Sequence, residues 1–224
     1  MSRTPRQPIV ILISGRGSNM RALIERSRAA DAVYTVVSVI SDRADAAGLE
    51  IARQLGVESR ALPRPAGGER ADYDRLLAEA ITDYSPSLIV LAGFMRILSA
   101  PFVERFAGRI LNIHPSLLPK YAGLHTHRRA LQAREAEHGV TVHFVTEQLD
   151  GGPPVLQARV PILPGDTETL LSQRVLIQEH IIYPLAVTWF CQGRLRCEAG
   201  EAWLDGRLLR EPVQIGGLQP EKPS

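Results

Sequence analysis

The sequence predicts an α/β fold: one Rossmann-like domain with a mostly parallel twisted sheet, helices on both faces and a small C-terminal antiparallel hairpin. Three observations carry that prediction. Ile9 to Ile13 is an unbroken apolar run rich in β-branched residues, as a strand buried on both faces requires, and a glycine turn and a helical pattern follow it at once. The same succession of apolar run and helical spacing recurs up to Leu88 to Ala92, giving three β-helix-β units with right-handed crossovers and parallel strands. Short apolar stretches around Asp205-Gly206 then read as a hairpin pair.

The elements follow in order. Met1 to Pro8 is polar, carries two prolines and reads as a loose leader. Ser14-Gly15-Arg16-Gly17-Ser18-Asn19 is the glycine turn, and Met20 to Ala30 has helical spacing through Leu23 and Ile24. Val33 to Ile40 is a second buried strand, Ala44 to Leu55 a helix closed by Gly56, and Ser59 to Leu62 a short strand. Pro63 to Gly68 is a turn-rich loop able to cover a site. Glu69 to Asp83 reads as an amphipathic helix with Leu76, Leu77 and Ile81 on its apolar side. Beyond the strand at Leu88 to Ala92, Gly93 to Ser99 is an apolar loop, open to reading as core or as the wall of a pocket for a flat aromatic ligand.

Ile110 to Ile113 starts another strand, and Pro115 and Pro119 stop it from continuing as a helix. Thr126 to Glu135 is a helix and Val140 to Val145 an alternating strand. Asp150-Gly151-Gly152-Pro153-Pro154 is a sharp turn before a strand at Val155 to Ile162. Asp166 to Phe190 is a long helix with a good cap, in which Pro184 should bend or break the chain. Leu195 to Cys197, Ala202 to Leu204 and Arg207 to Leu209 make the terminal hairpins. The domain therefore runs over 9–211, and 212–224 reads as a loose tail.

Composition removes several classes of function. The 224 residues are 45% hydrophobic and 22% charged, which suits a single globular core. A net charge of +2 with scattered basic residues gives no case for nucleic acid. No run reaches the roughly 18 apolar residues of a membrane span and no signal-type cleavage pattern follows the N-terminus, so the expected setting is cytoplasmic. Cys191 and Cys197 fit neither a metal knuckle nor a disulfide framework. His125 and His127 stand two apart without further ligands, so no metal site is expected.

The chemistry concentrates at the end of the Ile110 strand. Carboxyl ends of strands in an open α/β sheet are where ligands bind, and Asn112 and His114, two apart, share a face there. Asn112 offers an uncharged amide for a carbonyl oxygen, and His114 an acid or base near neutral pH. A hydrogen-bonded loop histidine remains the plainer alternative. The glycine turn can hold a phosphate at a helix start, yet it lacks Gly-Lys-Ser/Thr, and Met20 stands where a dinucleotide fingerprint has its third glycine. Taken alone it is equally a tight turn without a ligand. Asp150 is a turn residue or an acid, His143 a satisfied imidazole, Arg70 a solvated arginine or a grip for a carboxylate or phosphate, and Glu179 a wet-face residue or one turned inward to hold a cation.

Four motifs in one order narrow these options. Ile13 to Asn19, Leu91 to Leu98, Leu111 to Lys120 with Gly123-Leu124-His125-Thr126-His127, and Leu149-Asp150-Gly151-Gly152-Pro153 together resemble the 10-formyltetrahydrofolate-dependent formyltransferases, and among them the phosphoribosylglycinamide formyltransferase type. The resemblance runs from about Ile9 to Leu209. It implies that Asn112, His114 and Asp150 are catalytic, that Gly17, Ser18 and Asn19 hold the phosphate of glycinamide ribonucleotide, and that Glu179 contacts the same substrate. Arg70, Met95, Arg96, Ile97, Leu98 and Asn112 are implied to hold the folate. It also implies 10-formyltetrahydrofolate as a cosubstrate with no tightly bound cofactor, and it admits a homodimer.

The implied reaction is attack of a primary amine on the formyl carbon. Asn112 and a protonated His114 would stabilise the developing oxyanion, Asp150 would orient His114, and a water held by Asp150 would carry the amine proton towards the folate nitrogen. Departures from the family pattern are Ala122 for a usual proline, Pro154 for a usual aliphatic residue, and Arg16, free to add a phosphate contact. Two other readings use the same fold. One is a formyltetrahydrofolate hydrolase or a formyltransferase with another acceptor, which the phosphate loop opposes. The other is a non-enzymatic nucleotide- or folate-binding regulator, which has no use for the intact trio.

Overall fold

The computed structural model describes residues 5–64 and 67–216; residues 1–4 of the leader, 65–66 of the Pro63 to Gly68 loop and 217–224 of the tail lie outside them. Strands β1 (Gln7–Ile13), β2 (Tyr34–Ser41), β3 (Ser59–Ala61), β4 (Leu88–Leu91) and β5 (Ile110–His114) lie side by side in the order β3-β2-β1-β4-β5, every pair parallel. Strand β6 (Glu137–Phe144) is antiparallel both to β5 and to β7 (Pro154–Pro161). At the far edge β11 (Val213–Ile215) adds parallel to β7. The sheet is thus mostly parallel, with its one reversed strand beside β5.

Alternation along β1 shows why the sheet is covered on both faces. Ile9, Ile11 and Ile13 belong to one apolar cluster, with α1 (Ser18–Ser27) and α6 (Glu168–Cys191). Val10 and Leu12 belong to the other, with α3 (Arg70–Thr82) and α4 (Ala100–Arg105). Period-two side chains on a strand with no solvent face must all be apolar, which is the run the sequence shows. Helices α2 (Ala47–Gln54) and α5 (Thr126–Gln132) complete the layers. The strands β8 (Leu195–Glu198), β9 (Glu201–Leu204) and β10 (Arg207–Leu208) form a separate antiparallel sheet of three.

Several expectations need correction. Leader residues Gln7 and Pro8 already pair with β2, so β1 starts earlier than the apolar run. The first part of the expected tail is strand β11, where Gln214 donates to the Gln157 side chain; the prolines and glycines around these three residues hide them. Leu76 is exposed, whereas Tyr73, Leu77 and Ile81 form the buried face of α3. Helix α4 is an element the sequence reading left out, and its signal is Ser99 ahead of Pro101, a proline tolerated in a first helical turn. Pro184 does not break α6, because Tyr183, Ala186 and Val187 around it are fully buried and their packing outweighs one lost backbone bond.

Tyr183 also links α6 to the sheet beneath the site. Its hydroxyl reaches the carbonyl of Leu91 at 2.8 Å and that of Leu111 at 3.0 Å, one at the end of β4 and one beside Asn112 on β5. Burial without a charge partner pushes this phenol's ionisation far up, so it stays a donor. Tyr183→Phe leaves those two carbonyls short of a buried partner. It is expected to cost about 1–3 kcal/mol, lowering the thermal midpoint by several degrees in a melting experiment.

Candidate active site

Because β6 runs antiparallel to β5, Asn112 stands directly opposite His143 in register. His143 is buried, and its Nδ1 lies 2.9 Å from the Phe144 carbonyl, which has no proton to give. Nδ1 therefore carries the hydrogen, and Nε2 is left to accept from the Asn112 Nδ2 at 3.1 Å. Burial pulls the His143 imidazole down to about 4, so it is neutral at physiological pH. The outcome is an amide fixed by one N–H, with its second N–H and its carbonyl left over.

Asp150 closes the site from the turn between β6 and β7. It takes a left-handed φ of 51°, and Gly152 after it is forced by space: a Cβ there would lie 1.9 Å from the Phe144 carbonyl. Asp150 Oδ2 accepts the Gly123 N–H at 2.8 Å and stands 3.4 Å from His114 Nδ1. Its other oxygen is 3.8 Å from His143 Nε2. His114 is itself buried, and its Nε2 lies 3.0 Å from the Tyr121 carbonyl. Both ring nitrogens thus face acceptors, Nε2 the Tyr121 carbonyl and Nδ1 the Asp150 carboxylate. The sequence reading aimed His114 at a substrate oxygen; here the Tyr121 carbonyl occupies that donor.

These groups line a cavity of about 560 Å³, within the usual range for a small-molecule site. Met95, Arg96, Ile97 and Leu98 form one wall, Asn112, His114 and Asp150 another, and Leu124 and Leu149 stand at the rim. Met95, Ile97, Leu124 and Leu149 are largely exposed apolar side chains, as the open mouth of a flat pocket leaves them. Arg70 is not part of the lining. Its guanidinium donates to the Leu98 carbonyl, and Asp74 accepts the Ser99 N–H at 2.7 Å, so both hold the loop from behind. Arg96 lies 3.5 Å from Asp42 and 4.5 Å from the centre of the Tyr73 ring.

Comparison with known proteins settles which family this site belongs to. The formyl transferase pattern matches residues 7–187. The chain belongs to the formyl transferase family. It is 55% identical over 201 residues to the phosphoribosylglycinamide formyltransferase of Escherichia coli (strain K12), covering 90% of this chain and 95% of the relative. The Haemophilus influenzae protein of that name is 46% identical over the same lengths. A solved phosphoribosylglycinamide formyltransferase from Coxiella burnetii, in complex with CHES, superposes with a TM-score of 0.90 at 47% identity, over 95% of this chain and 100% of that one.

In this formyl transferase the glycine turn leads into α1 outside the main cavity. Gly17 takes a φ of 74° and caps the helix, with Gly48 of α2 so close that a Cβ on Gly17 would meet its Cα at 3.0 Å. Ser18 is half-buried and Arg16 exposed. Asn19 turns inward and its Nδ2 donates to Glu179 Oε2 at 2.6 Å, joining residues 160 apart. Glu179 therefore turns inward and not to the wet face, but the partner it holds is the Asn19 amide and not a cation. Three residues that hold the site's side chains and loops in place escaped the sequence reading as such: His143, whose signal is a histidine amid apolar neighbours on a strand, and Ser14 and Gly48, which carry no signal of their own.

Burial lifts the Glu179 carboxyl above the ordinary range, and the Asn19 bond only partly opposes this. An acid raised on folding favours the native state below its unfolded value, about 4.3, and that contribution is lost as pH rises through the folded value. Glu179→Gln cannot ionise. Its melting temperature relative to the parent chain is expected to climb between pH 4 and pH 8, and a difference that stays flat across that range contradicts the assignment.

Proposed function

We propose that this chain transfers the formyl group of 10-formyltetrahydrofolate to the primary amine of N1-(5-phospho-D-ribosyl)glycinamide, giving the N-formyl product and tetrahydrofolate in de novo purine biosynthesis. The folate is a cosubstrate and not a tightly bound cofactor. The observation that carries the reading is the meeting of Asn112, His114 and Asp150 on one wall of the cavity, in a chain so similar to phosphoribosylglycinamide formyltransferases.

The geometry and the family resemblance together support these roles. The folate lies against Met95, Arg96, Ile97 and Leu98, with Arg70 supporting that loop through Leu98. The ribonucleotide phosphate sits at Gly17, Ser18 and Asn19, where free N–H groups and the helix dipole favour an anion, and Glu179 contacts the same substrate. The amine then attacks the formyl carbon. As negative charge develops on the formyl oxygen, the unused Asn112 N–H donates to it. His114 redirects its Nε2–H hydrogen bond from the Tyr121 carbonyl to the same oxygen without giving up the proton, while Asp150 holds Nδ1 and the imidazolium charge. Collapse of the intermediate breaks the bond to the folate nitrogen, and a water on Asp150 passes the amine proton to that nitrogen.

We place the chain in the cytoplasm; among the described residues Cys191 and Cys197 are free thiols, which suits a reducing compartment, and no helix is long and apolar enough to cross a membrane. Asp150→Asn is expected to lower kcat about a hundredfold or more while leaving each KM within a few-fold, read in a spectrophotometric assay of tetrahydrofolate analogue release. Turnover equal to the parent chain would remove Asp150 from the mechanism.

A further inference from the structure

Two loops assigned to different substrates meet at one side chain. Ser14, the residue after β1, is buried where the glycine turn begins. Its N–H donates to the Gly93 carbonyl at 3.1 Å, and its hydroxyl oxygen accepts the Met95 N–H at 2.8 Å. Gly93 makes the turn between those two bonds with a φ of 76°. Ser14 thus fastens both sides of the bend that starts the Gly93 to Ser99 loop. Among the described residues, these are the hydrogen bonds that join residues 14–19 to residues 93–99.

The other contacts of each loop lead elsewhere. The glycine turn is backed by Gly48, whose N–H donates to the Gly15 carbonyl at 3.0 Å. A Cβ on Gly48 would also lie 3.0 Å from that carbonyl oxygen, so this close approach of the turn to α2 needs glycine there. At its far end the Gly93 to Ser99 loop is held by Arg70 and Asp74, both of α3, which touch neither Ser14 nor the turn in any hydrogen bond. Arg96 goes sideways to Asp42. A pull on the turn therefore has Ser14 as its polar route to the cavity wall.

We infer that Ser14 couples the two substrate sites: filling the glycine turn with a phosphate orders the Gly93 to Leu98 wall through the Ser14 hydroxyl and tightens folate binding. By reciprocity the folate tightens binding at the turn by the same factor. The inference rests on the substrate assignments made under Proposed function. Ser14 is a positioning residue, since it touches neither reacting atom.

The test measures the dissociation constant of a non-reactive folate analogue with and without saturating glycinamide ribonucleotide, in the parent chain, Ser14→Ala and Asp74→Ala. The parent chain is expected to bind the analogue roughly three- to tenfold tighter when the turn is filled, the range that one net hydrogen bond supports. Ser14→Ala is expected to lose that factor. Asp74→Ala loosens the same loop from its other end, so it is expected to weaken the analogue in both conditions and keep the factor. A factor retained in Ser14→Ala, or lost equally in Asp74→Ala, overturns the coupling, as does a parent chain without any factor.

A second measurement needs no variant. Hydrogen exchange at the Met95 amide of the parent chain is expected to slow several-fold on adding inorganic phosphate, and unchanged exchange with phosphate bound counts against the proposal. Formyl transfer to glycinamide ribonucleotide by the parent chain, followed in parallel, tests the substrate assignment separately. Transfer without coupling leaves the enzyme and removes the role of Ser14; absence of transfer removes the assignment itself.

Discussion

The Asp150 carboxylate is the interaction on which the site depends. It is nearly buried, and a charge in that position is costly unless its oxygens are satisfied. Here one oxygen takes a backbone N–H from Gly123 and lies 3.4 Å from His114 Nδ1, while the other lies 3.8 Å from the unprotonated His143 Nε2 and takes no hydrogen from it. Those three neighbours come from three segments: the loop after β5, β5 itself and β6. A single side chain therefore fixes how the β6–β7 turn, the Tyr121 to Gly123 loop and the end of β5 sit together. The backbone strain of a non-glycine residue at a φ of 51° is offset by these bonds, and Gly152 makes the approach to Phe144 sterically feasible.

Reversing one strand in an otherwise parallel region has a chemical consequence. An antiparallel neighbour pairs residues face to face, so β6 sets a histidine against Asn112 where a parallel neighbour, such as β4, sets the aliphatic Leu91. The two buried histidines then divide the work. His143 has its protonation fixed by burial and serves as a constant acceptor for the amide, whereas His114 lies against the carboxylate. Similar side chains receive different roles from their surroundings.

Much of this was legible in the sequence because it follows local rules. Ile9 to Ile13, Val33 to Ile40 and Leu88 to Ala92 betray double-sided burial by composition alone, and the observed β1, β2 and β4 start or end within a few residues of those runs. Asn112 and His114 were placed by the ligand preference for strand ends. What was not legible depends on distance in the chain. Nothing near Ser14 announces that its hydroxyl meets a backbone amide 81 positions away, and nothing near Arg70 says it bonds to the carbonyl of Leu98 behind the wall and stays out of the cavity. Val213 to Ile215 is a strand only because the β7 edge is there to receive it; alone, three residues between a proline and two glycines have no reason to extend.

The inward turn of Glu179 shows the same dependence on distance and explains why the glycine turn lies outside the main cavity. A carboxyl on α6 sits deep against Asn19 beside the helix start, and among the described residues the Asn19 carbonyl oxygen finds no protein partner. Buried acceptors of that kind are rare unless a ligand or water completes them. An anion alone would not, because Asn19 Oδ1 and Glu179 both accept. Under the proposed function, the ribose hydroxyls supply such donors while the phosphate takes the N–H groups of the turn. On that reading the corner and the turn hold the two ends of one phosphorylated sugar, and the cavity wall at Asn112 is left for the carbonyl that its amine attacks.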